Sequence, residues 1–155
     1  LVAEAAKKGL FARALRAKAQ APAELADQVG VLLERDALQA LSLANKAGAV
    51  VTGFAKLEKL IADQEVAGLV HARDAGADGV RKLGQALHRA YGGAGAQVPR
   101  VRLFASDQLD LALGRSNVVH AAVKTGPAAG AFLMRALRLS RYRGEGALDG
   151  TELEE

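Results

Sequence analysis

The stretch Ala44-Asn45-Lys46-Ala47-Gly48-Ala49-Val50-Val51-Thr52-Gly53-Phe54-Ala55-Lys56-Leu57-Glu58-Lys59 decides the fold. Lys46-Ala47-Gly48 reads as the end of a helix and Val50-Val51 as a short apolar strand. Thr52-Gly53 then opens a new helix that carries Lys56 and Lys59. The first turn of such a helix has unpaired N–H groups and the positive end of the helix dipole, here with two lysines one turn apart. Such a corner suits an anion, and a phosphate backbone is the commonest large one.

The same alternation of helices with short β-branched runs continues outward from Asp36. Leu38 and Leu41 belong to the helix that ends at Gly48, and Phe54, Leu57, Leu60 and Ile61 stripe the next one. Leu69-Val70 is a second strand, and Val80, Leu83, Leu87 and Tyr91 mark a long helix. Val101, Leu103 and Phe104 form a third strand, 109–113 a short helix and 118–123 a fourth strand. Pro127 near N1 begins a last helix through Phe132, Leu133 and Leu137. The expected fold class is α/β, a three-layer α/β/α sandwich over 36–141 around a central mixed four-stranded sheet. A helical pair over 1–35 precedes it. Val2, Ala6, Leu10 and Leu15 mark the first member, and Pro22 starts a second striped by Leu25, Val29, Leu32 and Leu33. Residues 142–155 have too few apolar side chains to pack and read as a disordered acidic tail.

Composition narrows the function classes. Half of the 155 residues are apolar, yet there are only four Phe, two Tyr and no Trp, so the core must be built from Ala, Leu and Val. The lack of Cys rules out disulfides and thiolate metal sites and fits a reducing, cytoplasmic location. No charge-free run exceeds ten residues, too few to span a bilayer. The opening segment has lysines but no continuous apolar region, so it is not a signal peptide. The net charge of +4 hides an asymmetry: residues 144–155 hold five acids and no base, leaving 21 bases against 12 acids, or +9, in 1–143. A basic body with a short acidic tail suggests a nucleic-acid binder whose tail competes for the basic face.

Catalytic sets are poor. His71 and His120 lie inside apolar strands, where a core or sheet-edge histidine is the plainer reading, and His88 lies beside Arg89 on a helix. Ser106, Asp107 and His120 could be assembled as a triad on paper, but Ser106 reads better as a helix N-cap. His71, Asp74 and Asp78 lack metal-ligand spacing and enclose Arg73. The glycine run 92–95 follows a helix rather than a strand, and at 126–130 Pro127 removes a donor and no Walker lysine follows. No enzyme, metal or cofactor is expected.

What remains is a cationic ledge. Lys56 and Lys59 are three apart on one helix face, and Gly53 permits close approach of another backbone. The loop Gly114-Arg115-Ser116-Asn117 adds an arginine and two small hydrogen-bonding side chains at one end of the sheet. A ledge with little aromatic surface suits a shaped RNA backbone better than stacked single-stranded bases. A merely solvated helix face, with Glu58 between the lysines, stays open beside it.

These residues resemble a family. The stretch 44–53 is similar to the opening of the kink-turn-binding ribosomal-protein family (large-subunit proteins seven-Ae and thirty-e), in the bacterial branch called YlxQ-like. The similarity extends through Gly68-Leu69-Val70-His71-Ala72-Arg73-Asp74-Ala75 and Leu111-Ala112-Leu113-Gly114-Arg115 to Val123, covering roughly 36–141. Upstream, Ala6-Lys7-Lys8-Gly9-Leu10-Phe11-Ala12-Arg13-Ala14 resembles the tail of a YlxR-type domain. The chain is thus expected to be the C-terminal portion of a fusion of the two.

The family reads kinked RNA with a Gly-x-Asn-Glu-type motif and a lysine at the start of its second helix, closing the site with the loop before its last strand. The resemblance puts Gly53 and Lys59 on the glycine and the lysine, with Ala55 and Lys56 where Asn and Glu stand in the family. It therefore implies electrostatic, shape-based contact rather than reading of base edges. Arg115, Ser116 and Asn117 occupy the closing loop, and Lys46 and Arg73 lie within the matched stretches. The functional expectation is a non-catalytic binder of structured RNA, ribosomal or another stable RNA. The alternative is a protein-interaction module, with a protein partner, whose RNA contact lies in an N-terminal region outside this chain.

Overall fold

The computed structural model describes residues 2–144, with side chains at residue 13 and from residue 23 onward. The chain divides into two compact units, Leu1–Leu32 and Leu33–Glu155. The first is helical, and Leu25, Val31 and Leu32 are exposed. The second contains the sheet. The elements in chain order are α1 (Val2–Lys46), β1 (Val50–Thr52), α2 (Phe54–Ala62), β2 (Val66–His71), α3 (Ala77–Tyr91), β3 (Arg100–Val101), α4 (Ser106–Leu113), β4 (His120–Lys124) and α5 (Pro127–Tyr142).

The expected sandwich is present. The strands lie in the order β1-β4-β2-β3, with β4 antiparallel to both of its neighbours and β2 parallel to β3, a mixed four-stranded sheet. Successive strand residues point to opposite faces, so the sheet feeds two cores. Leu69 and Ala122 join Leu57, Leu60 and Ile61 of α2 and Leu83 and Leu87 of α3. Val70, Ala121 and Val123 join Ala37 and Leu41 of α1, Leu109 of α4 and Phe132 and Leu139 of α5 on the other face.

Small residues set the layer spacing. A Cβ on Gly68 would come within 2.9 Å of Leu133, so this glycine lets α5 lie close on β2. Gly48 ends α1 at φ +74, a left-handed C-terminal position that glycine fills without strain. Ala49 N–H donates back to Ala44 at 2.9 Å and turns the chain into β1.

Four expectations need correction. The helical pair before the sandwich is a single helical element that also absorbs the helix ending at Lys46. Residues 10–29 contain no glycine and are rich in alanine, so helix propensity carries through Pro22 despite the amide that proline removes. The third strand keeps only Arg100–Val101 on the ladder. Leu103 and Phe104 are buried beyond it, and Phe104 instead accepts the Arg73 N–H at 2.8 Å. Ser106 is not the N-cap of α4; Ala105 is, and the Gln108 side chain accepts its N–H at 2.9 Å. The α5 helix includes Tyr142, and Arg143 pairs with Glu34. Of the acidic tail read from the sequence, 145–155 lies outside the described residues.

Candidate nucleic-acid interface

Strand register gathers three chain segments at one end of the sheet. Thr52 pairs with Ala121 and His71 with His120, so Gly53, Arg73 and Val119 all leave the sheet at that end. Gly53 is the N-cap of α2 at φ +93 and ψ 127, with no side chain capping the first turn. Nothing lies within 4 Å of where its Cβ would be, so the glycine is required by backbone conformation and not by space. Gly53→Ala is expected to cost about 1–3 kcal/mol through strain alone. Urea unfolding checks it, and an unchanged midpoint would show that the corner relaxes freely.

Opposite this corner, the loop between α4 and β4 is held from within the chain. The Asp110 carboxylate accepts the N–H groups of Asn117 at 3.0 Å and Val118 at 2.7 Å, and Gly114 closes α4 at φ +63. Asn117 is itself left-handed at φ +60, a conformation asparagine tolerates better than most residues. Together the corner and the loop enclose a cleft of about 480 Å³ lined by Gly53, Phe54, Arg115, Ser116, Asn117 and His120, among others.

Of the residues singled out from the sequence, Gly53, Arg115, Ser116 and Asn117 therefore meet in one cleft. Arg73 leaves β2 at the same end of the sheet and is exposed. Lys56 is exposed on the first turn of α2. Lys59 is not on the cleft; it lines a groove between α2 and α3, opposite Arg89. A three-residue step rotates a helix position by about 60° relative to its partner, enough to turn Lys59 toward the neighbouring helix. Lys46 lies on the far side, because it precedes the end of β1 where Val50 pairs with Val123. Among the described residues, Lys46, Lys56, Lys59 and Arg115 form no ion pair.

Sequence reading missed a histidine pair. The Nδ1 atoms of His71 and His120 lie 2.8 Å apart, and the rings meet edge to face at 5.0 Å. The edge of Phe54 approaches His120 at 6.4 Å, and Gly79 leaves it room, since a Cβ there would come within 2.5 Å of Nε2. One ring must donate and the other accept. His71 Nε2 is buried without a partner, so donation from His71 Nδ1 is the less costly choice: it leaves an orphan lone pair rather than an orphan N–H. Burial, followed by the charges of His120, Arg102 and Arg100, holds the His71 pKa down at about 4. Burial and Arg102 lower that of His120 as well. The pair is neutral at pH 7 and built into the floor of the site.

The acids near this end of the sheet are committed elsewhere. Asp74 accepts the Ser106 N–H at 3.1 Å and its hydroxyl at 2.8 Å, serving as the cap that sequence reading gave to Ser106 itself. The Ser106 hydroxyl is the main reason its carboxyl sits below the ordinary range. Asp78 is bound to Arg81 and Lys82.

No protein-family model matches the chain, and no curated protein matches it. Solved structures do. A protein of unknown function from Bacillus halodurans is similar with a TM-score of 0.57 and 22% identity, over 65% of this chain and 96% of that one. The 15.5 kD RNA binding protein of Giardia lamblia is similar with a TM-score of 0.53 and 17% identity, over 71% of this chain and 89% of that one. At these identities the likeness shows a shared fold.

Proposed function

We propose that this chain is a non-catalytic RNA-binding protein that recognises structured RNA mainly through backbone and shape. The observation that carries this reading is the cleft itself. It sets an uncapped helix N-terminus against Arg115 and two small hydrogen-bonding side chains. Uncapped N–H groups and the helix dipole favour a phosphate, and a guanidinium can hold the next one. The Giardia protein of the same fold is described as RNA-binding, which supports the class of ligand. Ala55 is apolar and Lys56 can only donate, so neither offers the base-edge pairing of an Asn–Glu pair. On this reading the resemblance to the kink-turn binders extends to the RNA backbone and stops short of the kink, the protein working in the cytoplasm on a ribosomal or other stable RNA.

The test is binding of the chain to a kink-turn RNA and to a plain duplex of equal length across a salt series. Comparable affinities are expected. Arg115→Gln should lower the slope of log K against log salt by about one unit. Binding to neither RNA at physiological salt would overturn the reading.

One observation favours a second reading, a protein-interaction module. Leu43, 57% exposed, lines a groove of about 340 Å³ between α1 and α5 with Ala40, Ala44, Ala128 and Ala131, bordered by Gln39 and the Asp36–Arg135 ion pair. An absence of saturable RNA binding would bring this face to the fore.

A further inference from the structure

The exposed side of α3 carries a polar row with an arginine at each end, which the cleft does not use. Arg81, Gln85, His88 and Arg89 recur at helical spacing, and with Gly84 and Arg100 they line an open groove of about 540 Å³. No carboxylate lines it. The one acid on the helix, Asp78, is engaged with Arg81 and Lys82. Arg89 has no ion pair among the described residues, whereas the Arg100 guanidinium donates to the Gly95 carbonyl at 3.3 Å and adds its charge from the floor of the groove.

Gly84 is the second, independent observation. A glycine inside a helix is destabilising relative to alanine, and is usually explained by close packing or a left-handed backbone. Neither applies, because nothing lies within 4 Å of its Cβ position and its φ is not positive. What it does is leave a notch in the middle of the row, where a second backbone can approach the helix.

The row also connects with the cleft. Arg89 lines both this groove and the neighbouring one that holds Lys59. Lys59 lies about 9 Å along α2 from Gly53. α3, like α2, starts at the cleft end of the sheet, where Gly79 packs on His120, so the row runs about 12 Å away from the cleft from Arg81 to Arg89, about three phosphates of one strand.

We propose that this face of α3 is a second RNA surface, which takes the phosphate backbone of a helical arm belonging to the RNA held in the cleft. The proposal rests on the RNA-binding reading of the cleft and extends it to a bipartite contact. Lys59 belongs to the path between the two surfaces, which accounts for a lysine at that position turned away from the cleft. The occupant is a polyanion with a regular charge spacing, because the cations form an extended row and not a pocket around one charge.

The experiment compares a short RNA hairpin with the same hairpin whose stem is extended by ten base pairs, by fluorescence anisotropy across a salt series. The full chain should bind the long hairpin at least tenfold more tightly at low salt, with a slope steeper by two to three units. Arg81→Gln combined with Arg89→Gln should remove about two of those units and leave the short hairpin unaffected. Gly84→Leu changes no charge and its Cβ has no atom within 4 Å, so it should keep the fold while abolishing most of the long-stem advantage. If the long-stem advantage survives both variants, or if the unaltered chain binds both hairpins alike, this second surface is wrong and the cleft reading stands. If the unaltered chain binds neither hairpin, both readings fall.

Discussion

Acidification from pH 7 to pH 4 is expected to remove roughly 3 kcal/mol of folding stability, through His71 above all. In the unfolded chain this imidazole takes up a proton near its ordinary 6.5, whereas in the fold it resists until about pH 4. Above pH 6.5 both states are neutral there and the histidine contributes no pH dependence. As pH falls from 6.5 to about 4 only the unfolded chain gains the proton, and stability drains away. Below about 4 both states carry it and this contribution levels off.

The physical cause is the meeting of two Nδ1 atoms at 2.8 Å in a site where His71 is 2% exposed. A second proton would set two N–H donors face to face, one of them on a buried ring. His120, shifted in the same direction, adds to the loss. Urea unfolding at pH 7, 6, 5 and 4 measures it, with His71→Leu as the comparison. The variant should show a flattened profile over this window. Equal profiles for the two proteins would place the acid sensitivity elsewhere, with Asp74 and Asp78 the next groups to examine below pH 4.

Phe132→Ala should cost about 3–5 kcal/mol, a large share of the 5–15 kcal/mol that holds a typical domain together. Phe132 is fully buried on α5, in the core that also takes Ala37, Ala40 and Ala136. A core this rich in alanine relies on a few large side chains to fill the space between layers. Phe104 and Phe132 are its two largest buried residues. The alanines around the vacated ring are too short to collapse into it, so the cavity term adds to the lost transfer energy. A change below 1 kcal/mol in urea would mean that the layers close up. Met134, two residues on and 57% exposed, is the control: Met134→Ala should change stability by less than about 0.5 kcal/mol.

Local chemistry made much of this fold legible. Gly48 and Val50-Val51 marked a helix end and a strand because left-handed glycine and β-branched runs act over a few residues. The alternation of strands and helices implied two covered faces because buried strands read as continuous apolar runs. The cleft was legible in part: Gly53 and the 115–117 loop stood out as an anion corner and a polar loop, and sheet register brings them together. What could not be read depends on partners distant in sequence. Asp74 caps a helix 32 residues away, and His71 meets a histidine 49 residues away. Nothing local to Lys59 says that α3 will lie beside it. Pro22 misled for the opposite reason. Proline is a strong local signal for a helix start, and here an alanine-rich helix runs through it.

The Asp110 carboxylate has a kinetic consequence. By holding the amides of Asn117 and Val118 it fixes the 115–117 loop in the free protein, so the entropy of ordering that loop is spent during folding and not on encounter. Binding at the cleft then needs no slow rearrangement on the protein side. On the proposed RNA-binding reading, the association rate is set by diffusion and by the steering field of the basic body, and discrimination among RNAs falls to the lifetime of the complex.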